Sequence, residues 1–270
     1  MDAALENHTK KFYRRRDPFA SPLWKLVNRY YDEFERVYPE RYEKTYGYWR
    51  PVIGDVVAKF LTCGDLREGF ARVRCCDCGK EYFVPFSCKQ RLFCPCCAQK
   101  RILSVAAHIQ QAVCEKVQHR QFVFTIPKRL RIYFRYDRAL LKELPRLSWE
   151  VIKEVYQAVM KRDDVTPGMI VTVQTFGELA HWHPHVHAIV TDGVFTADGG
   201  FIPFLEMAVE PFLVLWEAKV FNLLLEHNKI SEDTVSQMRH WQHSGFSVHK
   251  NVVITEDDPK GLENFIQVTE

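Results

Sequence analysis

The stretch "GMIVTVQTFGELAHWHPHVHAIVTDGVF", residues 168–195, contains two runs rich in β-branched and aromatic residues on either side of the short segment "LAHW". This composition favours β-strands, and the short separation predicts an antiparallel hairpin. The second run places His185 and His187 on either side of Val186. Because side chains two positions apart point to the same face of a strand, the two imidazoles of this histidine pair should lie side by side. Val186 should face the opposite way, into a core.

The histidine pair is typical of a metal site. Two neutral imidazoles can hold a divalent cation and leave coordination positions for a third ligand and a substrate. The third ligand should come from the neighbouring strand, where Gln174 and Glu178 are both candidates. Gln174 is favoured because it lies in the middle of its strand, whereas Glu178 lies near the turn. His181 and His183 are predicted to be loop residues beside the site.

The segments around this hairpin predict the fold class. After residue 120 the order is strand, helix, strand, strand, helix, strand, which predicts an α+β fold with an antiparallel sheet. Before residue 120 the pattern is mainly helical, with Ser21 as N-cap and Pro22 in the first turn of the first long helix. Pro145 is expected to break or kink the helix predicted at 137–162. The predicted organisation is a flexible basic arm at 1–20, a helical zinc-binding domain at 21–118, and a sheet domain at 119–270.

Seven of the nine cysteines lie between residues 75 and 97, which indicates metal binding rather than disulfides. Two Cys-x-x-Cys pairs stand out, Cys75 with Cys78 and Cys94 with Cys97. Two such pairs can complete a tetrahedral structural zinc site, and these four cysteines are the predicted ligands. Alternatives remain open, because Cys76 and Cys96 could shift the register, and Cys63 and Cys88 could be core thiols or could supply a different fourth ligand.

Charge is distributed unevenly along the chain. Residues 1–120 contain 22 Lys and Arg against 14 Asp and Glu, whereas residues 121–270 contain 15 against 20. A basic front half suits a polyanionic partner such as nucleic acid. The segment "PKRLRIYFRYDR", 127–138, interleaves basic and aromatic residues, as single-stranded DNA grooves do. The predicted DNA-binding residues are Arg14, Arg15, Arg16, Arg91, Lys128, Arg129 and Arg131.

The sequence also predicts where the protein works. It contains no apolar run of about 18 residues that could span a membrane, and its polar N-terminus does not resemble a secretory signal. A cytoplasmic protein without a membrane partner is therefore expected.

A family resemblance rests on these motifs. "HPHVHAIVTDGVF", preceded by "VQTFG", resembles the HUH metal motif of rolling-circle transposases. The segments "YRRRDPFASPLWKLV", "FLTCGDLREGFARVRCCDCGKEYFVPFSCKQRLFCPCCAQKR" and "FTIPKRLRIYF" resemble the transposase zinc-binding domain that accompanies this motif in one family of insertion sequences. The similarity runs from about residue 13 to about residue 264.

This resemblance implies both a fold and a reaction. The sheet domain should be an HUH endonuclease core, similar to ferredoxin and RNA-recognition folds. The histidine pair and a third polar ligand would hold Mg²⁺ or Mn²⁺, which polarises a phosphate of single-stranded DNA at the element end. A tyrosine then attacks that phosphate and forms a 5′-phosphotyrosine. DNA recombination follows when a new strand end reverses this step.

The sequence departs from the family at the tyrosine. The family carries its nucleophile on a helix C-terminal to the histidine strand, but this chain has no tyrosine after Tyr156. "GLEN" at 261–264 resembles the start of that helix, and "FIQVTE" then diverges. The prediction is a truncated transposase that binds DNA and metal but lacks tyrosyl cleavage on its own. A relaxase-like nucleophile near the N-terminus, at Tyr13, Tyr30 or Tyr31, is disfavoured, because relaxases lack the zinc module.

Two other functions compete with a transposase. One is a DNA-binding protein without chemistry, acting as a regulator or competitor of a full-length relative, and it would need no second metal. The other is a zinc hydrolase that uses the histidines at 183, 185 and 187, and it would hold zinc tightly at these side chains. Metal binding at the histidine pair is the observation that separates them.

Overall fold

The computed structural model describes residues 17–90, 93–177, 181–204, 206–255, 258 and 261. The chain folds as two compact units, the first extending to Ser104 and the second beginning at Val105. This division lies inside a helix, earlier than the predicted boundary near residue 118.

Helices form most of the first unit. Helix α1 (Pro22–Arg41) starts as predicted, because the Ser21 hydroxyl accepts a hydrogen bond from the backbone N–H of Trp24 at 3.1 Å. A short helix α2 (Glu43–Tyr46) ends at Gly47, and helix α3 (Val52–Leu61) follows. The indole of Trp24 donates to the carbonyl of Leu61 at 3.0 Å, which ties α1 to α3.

A two-stranded hairpin follows α3 in the first unit. Strands β1 (Phe70–Arg74) and β2 (Glu81–Pro85) pair antiparallel, with Phe70 opposite Pro85 and Arg74 opposite Glu81. Helix α4 (Pro95–His108) comes next and continues as a π-helical turn, Ile109–Val113. The open end of the hairpin therefore lies close in sequence to both α3 and the start of α4.

The second unit contains a four-stranded antiparallel sheet. Its order is β4-β5-β3-β8, which is the split β-α-β arrangement of ferredoxin-like folds. The predicted α+β class with an antiparallel sheet is confirmed. The elements are β3 (His119–Thr125), α5 (Arg131–Tyr136), α6 (Glu143–Met160), β4 (Met169–Phe176), β5 (Trp182–Thr191), β6 (Gly193–Phe195), β7 (Phe201–Pro203), α7 (Glu210–Glu226), α8 (Glu232–Arg239) and β8 (Ser247–Ile254).

One face of this sheet is packed and the other carries polar groups. Alternate residues of the central strands, among them Phe122, Phe124 and Val186, are fully buried in a core that includes residues of α6 and α7. Because side chains alternate across a strand, the intervening positions lie on the opposite face. That second face carries the histidine pair.

Two local predictions need correction. Pro145 does not break a helix, since it lies at the third position of α6, within the first turn, where no intrahelical N–H bond is needed. The strand that carries the histidine pair ends at Thr191, not at Phe195. Asp192 follows it, buried and paired with the Arg120 guanidinium at 2.6 Å, and β6 then pairs with β7 in a separate hairpin. Within the described part of the chain, no helix has the length and apolar character needed to cross a membrane.

Candidate functional site

Four cysteine side chains meet in the first unit: Cys63, Cys88, Cys94 and Cys97. Their sulfur atoms all lie within 4.8 Å of one another. The Sγ–Sγ distances are 3.7 Å from Cys63 to Cys97, 3.6 Å from Cys88 to Cys97 and 3.7 Å from Cys94 to Cys63. A tetrahedral zinc ion with its usual Zn–S bonds requires sulfurs about 3.8 Å apart. The four cysteines therefore fit a structural zinc site, which we call the cysteine centre.

The hairpin of the first unit assembles the cysteine centre. Cys63 precedes β1 and Cys88 follows β2, so antiparallel pairing brings these two residues together. The Gly64 N–H donates to the Phe86 carbonyl at 3.0 Å and closes the base of the hairpin. Gly64 has a positive φ of 83°, a backbone conformation that glycine adopts without steric strain. The remaining ligands come from the Cys-x-x-Cys turn that opens α4.

The surroundings of these thiols favour a bound cation. Burial raises the pKa of the Cys63 thiol to about 11, and burial likewise raises the pKa of Cys88. For Cys97, burial is outweighed by hydrogen bonds from the thiols of Cys88 and Cys63, which lower its pKa. A zinc ion supplies the positive charge that deprotonates such thiols, so metal binding would release protons.

The predicted ligand set therefore needs correction. Cys94 and Cys97 belong to the cysteine centre, but Cys75 and Cys78 do not, and Cys63 and Cys88 take their places. Cys75 and Cys78 lie at the tip of the hairpin. Strands of five residues at about 3.3 Å per residue separate the tip from the base by roughly 16 Å, too far for shared coordination. The positions of Cys63 and Cys88 at the two ends of the hairpin are the signal that could have identified them.

The Cys75–Cys78 turn still has the conformation of a metal-binding knuckle. The Gly79 N–H donates to the Cys75 carbonyl at 3.1 Å, and Gly79 has a positive φ of 67°. Hydrogen bonds from the backbone N–H groups of Cys78 and Asp77 lower the pKa of the Cys75 thiol. Among the residues that the structure describes, no further His, Cys, Asp or Glu completes a group of three ligands with this pair.

The histidine pair in the second unit lies on β5, as predicted. The rings of His185 and His187 have centroids 4.8 Å apart. On the neighbouring strand β4, Gln174 is directly opposite His185 and Thr172 is directly opposite His187. Directly opposite residues of an antiparallel pair have Cβ atoms roughly 5 Å apart on the same face. Gln174 therefore lies within side-chain reach of the pair, whereas Glu178 lies outside the described residues.

Hydrogen bonds orient the two imidazoles. The Nδ1 atom of His185 lies 2.6 Å from the carbonyl oxygen of His183. Because a carbonyl only accepts hydrogen bonds, this Nδ1 carries the proton and Nε2 keeps its lone pair for a metal. The Nδ1 atom of His187 lies 3.4 Å from the side-chain amide of Gln121 on β3. The contact of His185 resembles the outer-shell hydrogen bonds that position metal-ligating histidines. In the contact of His187 the amide nitrogen of Gln121 donates to Nδ1, so an ion at Nε2 would require this amide to turn over and accept from Nδ1–H through its oxygen.

Burial keeps the His187 imidazole in the form that binds a cation. His187 is only 7% exposed. Burial, with a smaller contribution from His185, lowers the pKa of His187 to about 4. This imidazole is therefore neutral at physiological pH, which is the state that coordinates metal.

His183 was predicted to be a loop residue, and this prediction is wrong. It belongs to β5, at a bulge where the pairing register with β4 shifts, and its ring centroid lies 5.0 Å from that of His185. Its Nε2 atom is buried without a hydrogen-bond partner within the described structure. Burial lowers the pKa of His183, and nearby Arg131 and His185 lower it further. Its neighbour His181 is exposed and precedes the strand.

The three histidines at 183, 185 and 187 do not converge on one point. Over the described ranges, no three histidine nitrogens approach within 4.8 Å of one another. This geometry disfavours the zinc hydrolase interpretation, which needs three imidazoles on a single ion. An ion held by two imidazoles and an amide oxygen fits the arrangement better.

The core of the second unit fixes the strands that carry the histidine pair. Thr125 on β3 is directly opposite His185, and its carbonyl accepts a hydrogen bond from the indole of Trp216 at 2.9 Å. Trp216 lies on α7, is fully buried, and contacts Phe124 with ring centroids 5.1 Å apart. Val186 is fully buried on the core face, as predicted.

The predicted DNA-binding residues fall into two groups. Lys128 and Arg129 are exposed just after β3. Arg131 is half-buried, and its Nε donates to the Ile126 carbonyl at 3.0 Å, while its own carbonyl accepts from the indole of Trp182 at 2.8 Å. Arg131 therefore also connects this basic segment to the histidine strand. The other predicted residues, Arg14, Arg15, Arg16 and Arg91, lie outside the described residues.

The two sites define a class of protein in which a four-cysteine metal centre precedes an antiparallel sheet with a paired-histidine face. Comparisons with known proteins are consistent with both parts. Residues 33–126 match a family model described as "Transposase zinc-binding domain", and residues 168–240 match one described as "Putative transposase". The transposase for insertion sequence element IS801 of Pseudomonas savastanoi pv. phaseolicola is 30% identical over 152 residues.

Over these parts of its length the chain is therefore similar to transposases. The aligned region covers 56% of this chain and 36% of the IS801 transposase, so the chain spans little more than a third of that relative. No solved structure matches the chain significantly.

Proposed function

We propose that this chain supplies the DNA-binding and ion-binding parts of a rolling-circle transposase with an HUH site. The observation that carries this proposal is the position of Gln174 directly opposite His185, on the same face as the histidine pair. Two imidazole nitrogens and one amide oxygen suit Mg²⁺ or Mn²⁺ and leave positions open for a phosphate. When bound, the ion would polarise a phosphate of single-stranded DNA and stabilise the leaving oxygen.

The chain's own residues prepare this site. The His183 carbonyl holds Nδ1–H of His185, so that its Nε2 atom faces the cation without a competing proton. Gln121 contacts the second imidazole from β3. Lys128 and Arg129, exposed beyond the end of β3, would bind the DNA backbone near the histidine face. The cysteine centre would contribute folding free energy and not chemistry, because four thiolates leave no open position.

The nucleophile that the family resemblance implies, a tyrosine on a helix after the histidine strand, is not among these 270 residues. No tyrosine follows Tyr156 in the 270 residues. Tyr156 is fully buried and its hydroxyl donates to the Thr191 carbonyl at 3.2 Å, while burial raises its pKa. It therefore cannot reach a phosphate. We expect this chain by itself to bind single-stranded DNA and Mn²⁺ without forming a covalent phosphotyrosine.

Metal binding is the first test. Titration with Mn²⁺, followed by the electron paramagnetic resonance of the free ion, should show one site that is lost in the His185→Ala/His187→Ala double variant. Gln174→Ala should weaken the site at least about tenfold, whereas Gln174→Glu should retain or strengthen it, because a carboxylate is a better ligand for Mn²⁺ than an amide. His181→Ala is the matched control, since this exposed histidine precedes the strand. If the double variant binds Mn²⁺ as tightly as the wild-type chain does, the histidine pair is not the ion site and the proposed ion site is wrong.

DNA binding is tested separately. Fluorescence anisotropy with labelled single-stranded and double-stranded oligonucleotides of equal length should show preference for the single strand, weakening as salt rises. Incubation with element-end DNA and Mn²⁺ should yield no protein–DNA adduct that survives SDS. Such an adduct would show that the chain does contain a nucleophile. Binding of DNA without any ion dependence would favour the competing function, a regulator or competitor of full-length transposases.

A further inference from the structure

A groove lies where β3 ends and β8 begins, close to the histidine face. Its apolar surface comes from Pro127, Ile132 and the indole of Trp241, and its volume is about 590 Å³. None of its lining residues is acidic, and Lys128 and Arg129 supply positive charge at its edge. From these features we propose that the groove binds one nucleotide of single-stranded DNA, with the base stacked at Trp241. This inference rests on the proposed function and adds a specific contact to it.

Trp241 has the exposure and surroundings of a stacking platform. Trp241 is 43% exposed, so part of its indole surface is open to a ligand. The Arg129 guanidinium lies over its ring, 5.5 Å from the centroid. This cation–π contact orders both side chains before a ligand arrives. A base can stack on the open indole surface, and the guanidinium beside it can bind the adjoining phosphate.

The walls of the groove are fixed by close backbone packing. The segment 241–245 turns back at Gly245, which has a positive φ of 77°. A Cβ atom at Gly245 would lie 3.2 Å from the Cβ of Pro127, so the absence of a side chain lets the two walls approach. At the other end of the segment, the Trp241 N–H donates to the Met238 carbonyl at 3.2 Å, which anchors it to the end of α8.

The groove lies where a single DNA strand bound in it would also reach the histidine pair. Thr125 on β3 is opposite His185 on one side and opposite Ser247 on the other, and its hydroxyl lies 2.7 Å from that of Ser247. The groove begins two residues beyond each of these positions, at Pro127 and Gly245. With neighbouring strands about 4.8 Å apart, the groove and the histidine pair are separated by roughly two nucleotides of extended DNA.

The test compares full-length variants in binding a fluorescein-labelled dT20 oligonucleotide at several salt concentrations. Trp241→Ala should weaken binding by about 5- to 150-fold, the range found when one stacked base loses its aromatic partner. The salt dependence should be unchanged, because no phosphate contact is lost. Lys128→Gln should instead reduce that dependence by the equivalent of about one phosphate contact. Lys142→Gln is the matched control, since this exposed lysine precedes α6 and does not line the groove.

Tryptophan fluorescence provides a second measurement that does not depend on the stability of the alanine variant. Addition of unlabelled dT20 should quench the wild-type emission, and Trp241→Phe should lose that quenching while binding dT20 within a few-fold of wild type. Wild-type affinity and salt dependence in Trp241→Ala, or quenching that persists in Trp241→Phe, would overturn the groove proposal. Failure of the wild-type chain to bind dT20 would instead overturn the proposed DNA-binding function.

Discussion

The cysteine centre and the histidine face are built in opposite ways. The cysteine centre collects ligands from three separate segments, and four thiolates would enclose its ion completely. The histidine face takes both imidazoles from a single strand and leaves part of the coordination sphere open. From this contrast we expect the first to be a structural site, on which the fold of its unit depends, and the second to be a site for chemistry, which its unit can lose without unfolding.

The largest expected effect is the removal of a ligand from the cysteine centre. Cys63→Ser should lose one equivalent of zinc and with it the folded first unit, because structural zinc contributes about 10–16 kcal/mol in small domains. Zinc content and limited proteolysis measure the two effects. Cys75→Ser is the control and should keep both the zinc of the cysteine centre and protease resistance.

The outcome of this pair of variants decides the ligand assignment. If Cys75→Ser loses the same zinc that Cys63→Ser loses, then the hairpin tip takes part in the site and the correction to the predicted ligands is wrong.

The next largest effect is expected in the core behind the histidine face. Trp216→Ala removes a fully buried indole and its hydrogen bond to Thr125, and should destabilise the second unit by about 3–5 kcal/mol. Chemical denaturation followed by circular dichroism measures this change. Val214→Ala on the same helix is the control, because Val214 is 67% exposed, and its free energy of unfolding should change little. A loss in Trp216→Ala as small as that of Val214→Ala would mean that packing at Trp216 does not support the sheet.

A smaller effect is expected at the outer contact of the histidine pair. Gln121→Ala removes the amide beside His187, whose oxygen would accept from Nδ1–H once Nε2 holds an ion, and should weaken Mn²⁺ binding by about tenfold or somewhat more. The melting temperature should hardly move. Calorimetric titration with Mn²⁺ measures the affinity, and Gln118→Ala serves as the control, because this amide contacts Asp192 instead. Unchanged affinity in Gln121→Ala would show that the 3.4 Å contact does not position the imidazole.

The smallest expected effect is the change in stability when a histidine of the pair is removed. His185→Ala should change the free energy of unfolding of the apoprotein by less than about 1 kcal/mol, because the imidazole is half-buried and its contacts are the rings of His183 and His187 and a hydrogen bond within its own strand. Thermal denaturation in the presence of a chelator measures it. A loss as large as that of Trp216→Ala would show that the histidine face is a structural element and would remove the contrast between the two sites.

Local patterns explain which parts of the site were predictable. The pairing of His185 and His187 on one face follows from the two-residue period of a strand, and the hairpin follows from the spacing of two apolar runs. The register that places Gln174 opposite His185 comes from the structure, because the spacing does not fix the length of the loop. The α+β class likewise follows from the order of helices and strands. The third-ligand choice between Gln174 and Glu178 remains a prediction, since Glu178 lies outside the described residues.

The spacing of the cysteines alone gave a wrong set of zinc ligands, because the cysteine centre forms where distant segments meet. The two Cys-x-x-Cys pairs look equivalent, but one lies at the tip of a hairpin and the other at the start of a helix. Cys63 and Cys88 become ligands because β1 and β2 pair between them, 25 residues apart in sequence. The groove at Trp241 arises in the same way, from contact between the end of β3 and the start of β8.

The sequence by itself determined which chemical groups this protein carries: thiols that suit a soft cation, an imidazole pair that suits a divalent ion, and a basic segment that suits DNA. These properties depend on residue type and short-range periodicity, which the chain carries without folding. Only the tertiary structure decided which cysteines share an ion, that His183 joins the histidine strand, and that Arg129 meets Trp241. Those contacts join residues far apart in sequence, and they form only when strand pairing and core packing fix the register.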